Sequence, residues 1–255
     1  TSRTLTIEAG QGETPILDGS HALQPQPLSG QSGIYLVNIS YSGTNMPQVW
    51  HQNQKIRYVP VQSFEVLKGT DYGAYPYSAN TIAIHPRGGT LPSSTDLRAS
   101  LIDYGFIITR SNKKIDRISF TGFGKTNYSA GIVVGANNFS PAVDNITLSN
   151  ITVNNSYSGI LTLKGTSVRK VNISNCDIRD VATGINAHGG DVSITYCKIV
   201  NDARASNLFA FKQVGVYMGE AGINVRDSYS ISGCEYKYNV IKGFNTLDTN
   251  TTCCS

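Results

Sequence analysis

Apolar and polar residues alternate along much of the chain, and from residue 118 the alternation settles into a recurring phrase. Its copies are Ile118-Ser-Phe-Thr-Gly-Phe123, Ile146-Thr-Leu-Ser-Asn-Ile151, Val171-Asn-Ile-Ser-Asn-Cys176, Val192-Ser-Ile-Thr-Tyr-Cys197 and Tyr229-Ser-Ile-Ser-Gly-Cys234. Aligned on Phe120, Leu148, Ile173, Ile194 and Ile231, they lie 28, 25, 21 and 37 residues apart. Each phrase reads as a strand with one face inside and one outside, followed by a polar pair and one more inward apolar residue. Repetition on this scale predicts a chain wound into stacked coils.

A second feature accompanies each phrase: a glycine followed by a β-branched residue, at Gly131-Ile132, Gly159-Ile160, Gly184-Ile185 and Gly215-Val216. Alternation after the glycine sends Ile132, Val134, Ile160, Thr162, Ile185, Ala187, Val216 and Met218 inward. It sends Val133, Leu161, Asn186 and Tyr217 outward, as a column on a solvent face. Helical periodicity is absent, so helices should be rare.

Towards the N-terminus, Thr4–Ile7, Pro15–Leu17 and Gly33–Ile39 read as strands, with turn residues at Gly10, Gly12 and Asp18-Gly19. The repeat then lapses from Tyr41 to about Leu101, a stretch holding Trp50, Tyr58, Tyr72, Tyr75 and Tyr77. A segment this long predicts an inserted β lobe at about 41–100 rather than a loose loop. Within it, Val49–Arg57 has the pattern of a hairpin and Thr81–Ile84 that of a strand. Leu101–Ile108 resumes the coil. The expected organisation is one domain over 1–255, interrupted by that lobe.

Composition narrows the choice of function. Only 15% of the 255 residues are charged, and the 25 glycines suit strands joined by tight turns. The net charge of +4 is scattered rather than gathered into a basic stripe, so no nucleic-acid partner is expected. No apolar run is long enough to span a membrane as a helix. No signal peptide precedes Thr1, which fits a mature, trimmed or partial form. No cofactor or metal is expected either. Of the five cysteines, Cys176, Cys197 and Cys234 share one column of the phrases, where earlier copies carry Phe123 and Ile151. A column of reduced, buried thiols follows, because a free cysteine packs as a small hydrophobe. A disulfide is within reach at the ~4.8 Å spacing of adjacent strands, but parallel side chains give it a poor dihedral. Zinc is disfavoured because no histidine shares the column. Cys253 and Cys254 are open to reaction or to pairing between chains.

Two passages carry a resemblance to a known family. The opening Thr4-Leu-Thr-Ile-Glu-Ala-Gly-Gln-Gly-Glu-Thr-Pro-Ile-Leu-Asp-Gly-Ser20 resembles the early coil of pectin-lyase-like proteins. Pro47-Gln-Val-Trp-His-Gln-Asn-Gln-Lys-Ile-Arg-Tyr-Val-Pro60 is similar to a hairpin of β-helix glycoside hydrolases. The resemblance implies an all-β fold, a right-handed parallel β-helix (solenoid) with an inserted small β lobe. It also implies a carbohydrate partner. That superfamily holds lyases, hydrolases, tailspikes and passive surface proteins, so the fold alone does not choose among them.

A polysaccharide lyase needs a base for the proton beside a uronate carboxylate and a cation to hold that carboxylate. Lys164 and His188 stand 24 residues apart after the glycines of successive coils. Their spacing is similar to the Lys…Arg-His-Gly arrangement of alginate-lyase-like β-helices, which makes them the candidate catalytic pair. Ala187 stands where that arrangement has its arginine. Both residues equally fit turn positions on a polar edge. A hydrolase would need paired carboxylates; Asp180, Asp191, Glu220 and Asp227 show no such pairing. Trp50, Tyr58, Tyr75 and Tyr77 would line a sugar-stacking wall or, alternatively, form the lobe's own core. Asn186, Tyr217 and Glu220 complete the candidate substrate-binding set. Asn38, Asn127, Asn138, Asn145, Asn150, Asn154, Asn172 and Asn250 each begin an Asn-X-Ser/Thr sequence, permissive for glycosylation in a secreted setting.

The expected function is therefore an extracellular, secreted or cell-surface, carbohydrate-active or carbohydrate-binding protein. It would be a polysaccharide lyase or glycoside hydrolase with a polysaccharide or glycan partner. The alternative is a non-enzymatic structural protein: a fibre, tailspike-like module or homo-oligomeric filament. Its copies would join through uncapped coil ends.

Overall fold

In the computed structural model the described residues are 3–39, 46–51, 56–91, 96–124, 129–135, 143–162, 168–181, 183–188, 192–200, 221–226, 235–237 and 240–242. They are almost entirely β, with one short α-helix, Phe64–Lys68, among them. They fall into two compact units, one drawn from 3–19 and 102–242 and the other from 20–101.

The first unit is built from three parallel sheets, each gaining one strand per repeat. One runs Leu5–Glu8, Lys113–Asp116, Val143–Ser149, Val168–Ser174, Val192–Thr195 and Glu235–Lys237. A second runs Ile16–Asp18, Ser119–Thr121, Thr152–Asn154, Asp177–Arg179, Lys198–Val200 and Val240–Lys242. The third runs Tyr104–Ile108, Ala130–Val134, Ser158–Thr162, Thr183–His188 and Ala221–Arg226. Stacked parallel sheets of this kind are compatible with a β-helix-like fold.

The polar pair of each phrase is a corner. Its second member takes a left-handed backbone in each described copy: Arg117 (φ 56°), Asn150 (φ 53°), Asn175 (φ 54°) and Tyr196 (φ 55°). Asparagine tolerates this region better than most residues. The turn lets the chain leave the first sheet and enter the second within two residues. Corner amides then bond the next repeat: Asn150 N donates to Ser174 O at 3.1 Å and Asn175 N to Thr195 O at 3.1 Å. Gly122, Asn155 and Asp180 make an equivalent left-handed corner after the second sheet.

Inside lies one continuous apolar cluster. Ile115, Leu148, Ile173 and Ile194 stack from the first sheet, and Phe120, Val153, Ile178 and Ile199 from the second. Ile132, Ile160 and Ile185 stack from the third. The recurring glycine has a steric cause. A Cβ on Gly159 would overlap the Gly184 carbonyl oxygen and come within 2.6 Å of Ile178 Cγ2. At Gly131 it would meet Val153 Cγ1 at 2.9 Å. The third sheet closes on the second only because no side chain intervenes there.

Register corrects the phrase alignment at both ends. Ile115 pairs with Leu148, and Phe120 with Val153. The first-sheet counterpart of Ile146–Ile151 is therefore Lys113-Lys-Ile-Asp-Arg-Ile118, whereas Ser119–Thr121 belongs to the second sheet. Lys113 and Lys114 at its start break the apolar alternation there. The strand opposite Val192–Thr195 is Glu235–Lys237, and Tyr229–Cys234 lies outside the described residues. The column thus reads Ile118, Ile151, Cys176, Cys197, all buried, with neither described cysteine in a disulfide.

The second unit begins at Ser20 rather than near residue 41. Tyr35–Asn38, expected to be a coil strand, instead pairs antiparallel with Thr81–His85. A five-stranded sheet orders Pro25–Pro27, Tyr35–Asn38, Thr81–His85, Gly73–Ser78 and Val59–Pro60. A four-stranded sheet orders Ser20–Ala22, Leu97–Ser100, Val49–His51 and Ile56–Arg57, the last two forming the expected hairpin. No helix among the described residues is long and apolar enough to cross a membrane.

Candidate functional site

The strands after the recurring glycines carry the candidate chemistry. In the third sheet, Ile107, Val133, Leu161, Asn186 and Asn224 occupy one register column. The column is not the solvent face that alternation suggested. Val133 and Leu161 are each only 1% exposed and pack with Ala130 and Tyr104 as a second, outer apolar cluster. From Asn186 onward the column turns polar. The Asn186 side chain is half-buried, and its Oδ1 is sealed from solvent with no hydrogen-bond partner among the described residues. A buried carbonyl oxygen left without a donor is costly, which makes this atom a natural acceptor for an incoming group.

Beyond Asn186 the register becomes informative. Asn186 stands opposite Asn224, Ala187 opposite Val225, and His188 opposite Arg226. Positions two apart on a strand share a face. Asn186 and His188 thus hold alternate positions on one strand, and Asn224 and Arg226 the register positions opposite them on the next, ~4.8 Å away. The expected neighbour for His188 was Lys164, which lies outside the described residues. The partner found is Arg226. The signal was present in the sequence: Gly184-Ile-Asn-Ala-His188 is repeated by Gly222-Ile-Asn-Val-Arg226. Reading Gly215-Val216 as the next glycine step passed over it.

No protein-family model, curated protein or solved structure matches the chain. The case for a site rests on geometry alone.

That geometry removes two residues from the substrate-binding set. Trp50 is 2% and Tyr58 3% exposed, inside the second unit, so neither has a ring face to offer a sugar. Tyr58 packs in the lobe's core cluster with Leu97 and Ala99, and Trp50 is buried on the strand Val49–His51, opposite Arg98. Next to Trp50 sits a buried polar pair: His51 Nε2 lies 2.9 Å from the Tyr58 hydroxyl oxygen. Burial holds the His51 imidazole below its ordinary pKa, against the raising effect of Asp96, and pushes the Tyr58 phenol up. Of the other lobe aromatics, Tyr77 is 46% exposed and Tyr75 half-buried, and both pack edge-on against Phe64.

The carboxylates fare as follows. Asp180 occupies a left-handed corner. Asp191, Tyr217, Glu220 and Asp227 lie outside the described residues. Asp116 is held firmly: its Oδ1 accepts from Ser149 Oγ at 2.8 Å and Asn150 Nδ2 at 2.7 Å. These bonds reach one repeat ahead, so Asp116 is a rivet between coils rather than a reactive acid. Burial alone would raise its pKa. The bonds from Asn150 and Ser149, with Lys114 and Arg117 nearby, outweigh burial and hold it below the ordinary value. Among the described residues no three His, Cys, Asp or Glu side chains gather to hold a metal.

Proposed function

We propose that the chain is a right-handed parallel β-helix acting outside the cell on an acidic polysaccharide, as a lyase of uronate-containing chains. One observation carries this reading: the in-register pairing of His188 with Arg226, beside Asn186 and Asn224. An imidazole whose ordinary pKa is near 6.5 is a competent base near neutrality. A guanidinium one strand away offers the two-pronged grip that a carboxylate prefers. In the reaction, His188 takes the proton from the carbon bearing the uronate carboxylate while Arg226 holds that carboxylate. The electron pair left behind forms the C4=C5 double bond as the C4–O glycosidic bond breaks. The imidazolium then returns its proton to the departing oxygen. Lys164 is the alternative base, and Asn186 Oδ1 the acceptor that orients a sugar hydroxyl.

The test is release of unsaturated uronide, followed by ultraviolet absorbance, from alginate, pectate and glycosaminoglycan substrates. Activity should fall about 100-fold or more in His188→Ala, the usual scale for removing a general base. In Arg226→Lys the loss should appear mainly in KM for the charged substrate. No absorbance rise on any substrate sinks the lyase reading.

A second reading is favoured by one observation. Leu5 is 53%, Ile7 41% and Ile16 66% exposed, all on the outermost strands of two sheets. An apolar outer strand with unpaired amides invites another strand. The structural role, in which copies join strand to strand, predicts assemblies that Ile7→Lys disperses in sedimentation velocity; a monomer at all concentrations removes it.

A further inference from the structure

Cys176 and Cys197 fill the same inward corner position in consecutive coils. The backbone ties them together: Lys198 N donates to Cys176 O at 2.7 Å, and Asn175 N to Thr195 O at 3.1 Å. On either side, Ile173 stands opposite Ile194 and Ile178 opposite Ile199, so the two cysteines are direct neighbours in the stack. Both are buried, and neither is in a disulfide. Each donates to the carbonyl two residues earlier, Cys176 Sγ to Ser174 O and Cys197 Sγ to Thr195 O, both at 3.4 Å. Earlier coils fill this position with Ile118 and Ile151, so packing alone does not call for a thiol.

Neighbouring parallel strands hold their Cα atoms ~4.8 Å apart, inside the range that a disulfide spans. The neighbouring Cys197 thiol together with burial pushes the Cys176 thiol up. The segment between them, 177–196, is one full coil. It contains the second-sheet strand Asp177–Arg179, the third-sheet strand Thr183–His188 and the first-sheet strand Val192–Thr195.

We propose that Cys176 and Cys197 form a reversible redox staple that closes this single coil into a covalent ring. The oxidant is a small-molecule disulfide of the glutathione class. A Cys197 thiolate attacks it, releasing one small thiol and leaving a mixed disulfide. Cys176 then loses its proton, attacks Cys197 Sγ and expels the second small thiol. Two protein thiols are thereby oxidised and one external disulfide reduced to two thiols. Rotation of one side chain about its Cα–Cβ bond brings the sulfurs together. Because stacked parallel side chains depart from the relaxed disulfide dihedral, the bond is easily reduced again. Burial makes both directions slow, since the corner must open before a reagent reaches the sulfur.

The staple encircles Asn186 and His188, yet it does not depend on any catalytic role for them. The purified chain is equilibrated with oxidised glutathione under native conditions, alkylated, and digested with trypsin. The expected product is a cross-linked pair of peptides, Val171–Arg179 with Asp180–Lys198, two mass units lighter than the sum of its reduced halves. It should revert on adding reduced glutathione. Hydrogen exchange over 183–188 should slow at least several-fold in the oxidised form, and the slowing should be absent in Cys176→Ser and in Cys176→Val. Recovery of both peptides as singly alkylated thiols or as separate glutathione adducts overturns the proposal, as does a cross-link that forms only in denaturant.

Discussion

The two units hold themselves together in different ways. In the first, the inward side chains of the described strands repeat their neighbours' environment one coil later, and a buried polar group can find its partners on the next coil. Asp116, bonded to Ser149 and Asn150, is the clearest case. In the second, antiparallel pairs distant in sequence, such as Tyr35 with Ile84 and Ser20 with Ser100, close a core that occurs once. One of its buried polar groups, His51, is bonded at Nε2 to Tyr58, while Nδ1 has no partner among the described residues. Stacking lets the neighbouring coil supply the partners of a buried group such as Asp116, while Asn186 Oδ1 shows that it does not do so everywhere; the lobe's single core must supply them locally, and leaves one nitrogen of His51 without a partner among the described residues.

The sharpest way to break this comparison is to disturb the stack itself. Leu148→Ala should lower the unfolding free energy by about 2–5 kcal/mol, the cost of a core cavity. Thr147→Ala, one residue away on the outer face, should stay within about 0.5 kcal/mol. Urea titration of both variants checks the contrast, and equal losses would mean that the first sheet has no distinct inner face. Next in size is Gly159→Ala, expected to cost about 1–3 kcal/mol through overpacking against Gly184 and Ile178. A neutral result there would show that the third sheet can shift away from the second.

The same difference explains what could be read in advance. Alternation and the corner pairs betrayed the coils because Leu148, Ile173 and Ile194 sit in identical surroundings, so the chain repeats itself. It failed where a coil departs from the pattern, as at Lys113-Lys114, and where an excursion delayed the next glycine, so that Gly222 and with it Arg226 were passed over. The lobe was legible only as an interruption. Its first strands, Ser20–Ala22 and Pro25–Pro27, pair with partners far along the chain, and nothing local announces such pairing. Trp50 and Tyr58 illustrate the limit: an aromatic residue looks the same in a sequence whether it walls a cleft or fills a core.

Acid should separate the units. His51 is held neutral by burial, so its folded pKa lies below the unfolded value near 6.5. Below that pH the unfolded chain takes up a proton that the folded one refuses. Stability is then lost at up to about 1.4 kcal/mol per pH unit until the folded pKa is reached. Urea midpoints at pH 7.5, 6.5 and 5.5 should fall for the parent protein and stay nearly level in His51→Gln. A parallel fall in both would assign the acid sensitivity to another group.

The finest test concerns Asp116, whose pKa is depressed rather than sheltered. For a carboxylate below its ordinary value, the unfolded chain again protonates first. Its contribution is complete above the ordinary value of 3.8 and is lost as pH falls through the folded pKa. Asp116→Asn keeps an acceptor for Ser149 and Asn150 but gives up the charge. The Lys114 and Arg117 contacts it forfeits, at 3.6 and 3.4 Å, involve cations that are 38% and 46% exposed, so solvent screens them. The loss at neutral pH should therefore be small, about 1 kcal/mol. The decisive difference is in slope: between about pH 5 and pH 3 the parent should lose stability faster than Asp116→Asn. If the two curves run parallel, the rivet between coils is held by shape and hydrogen bonding alone, and the first unit has answered its buried carboxylate without using its charge.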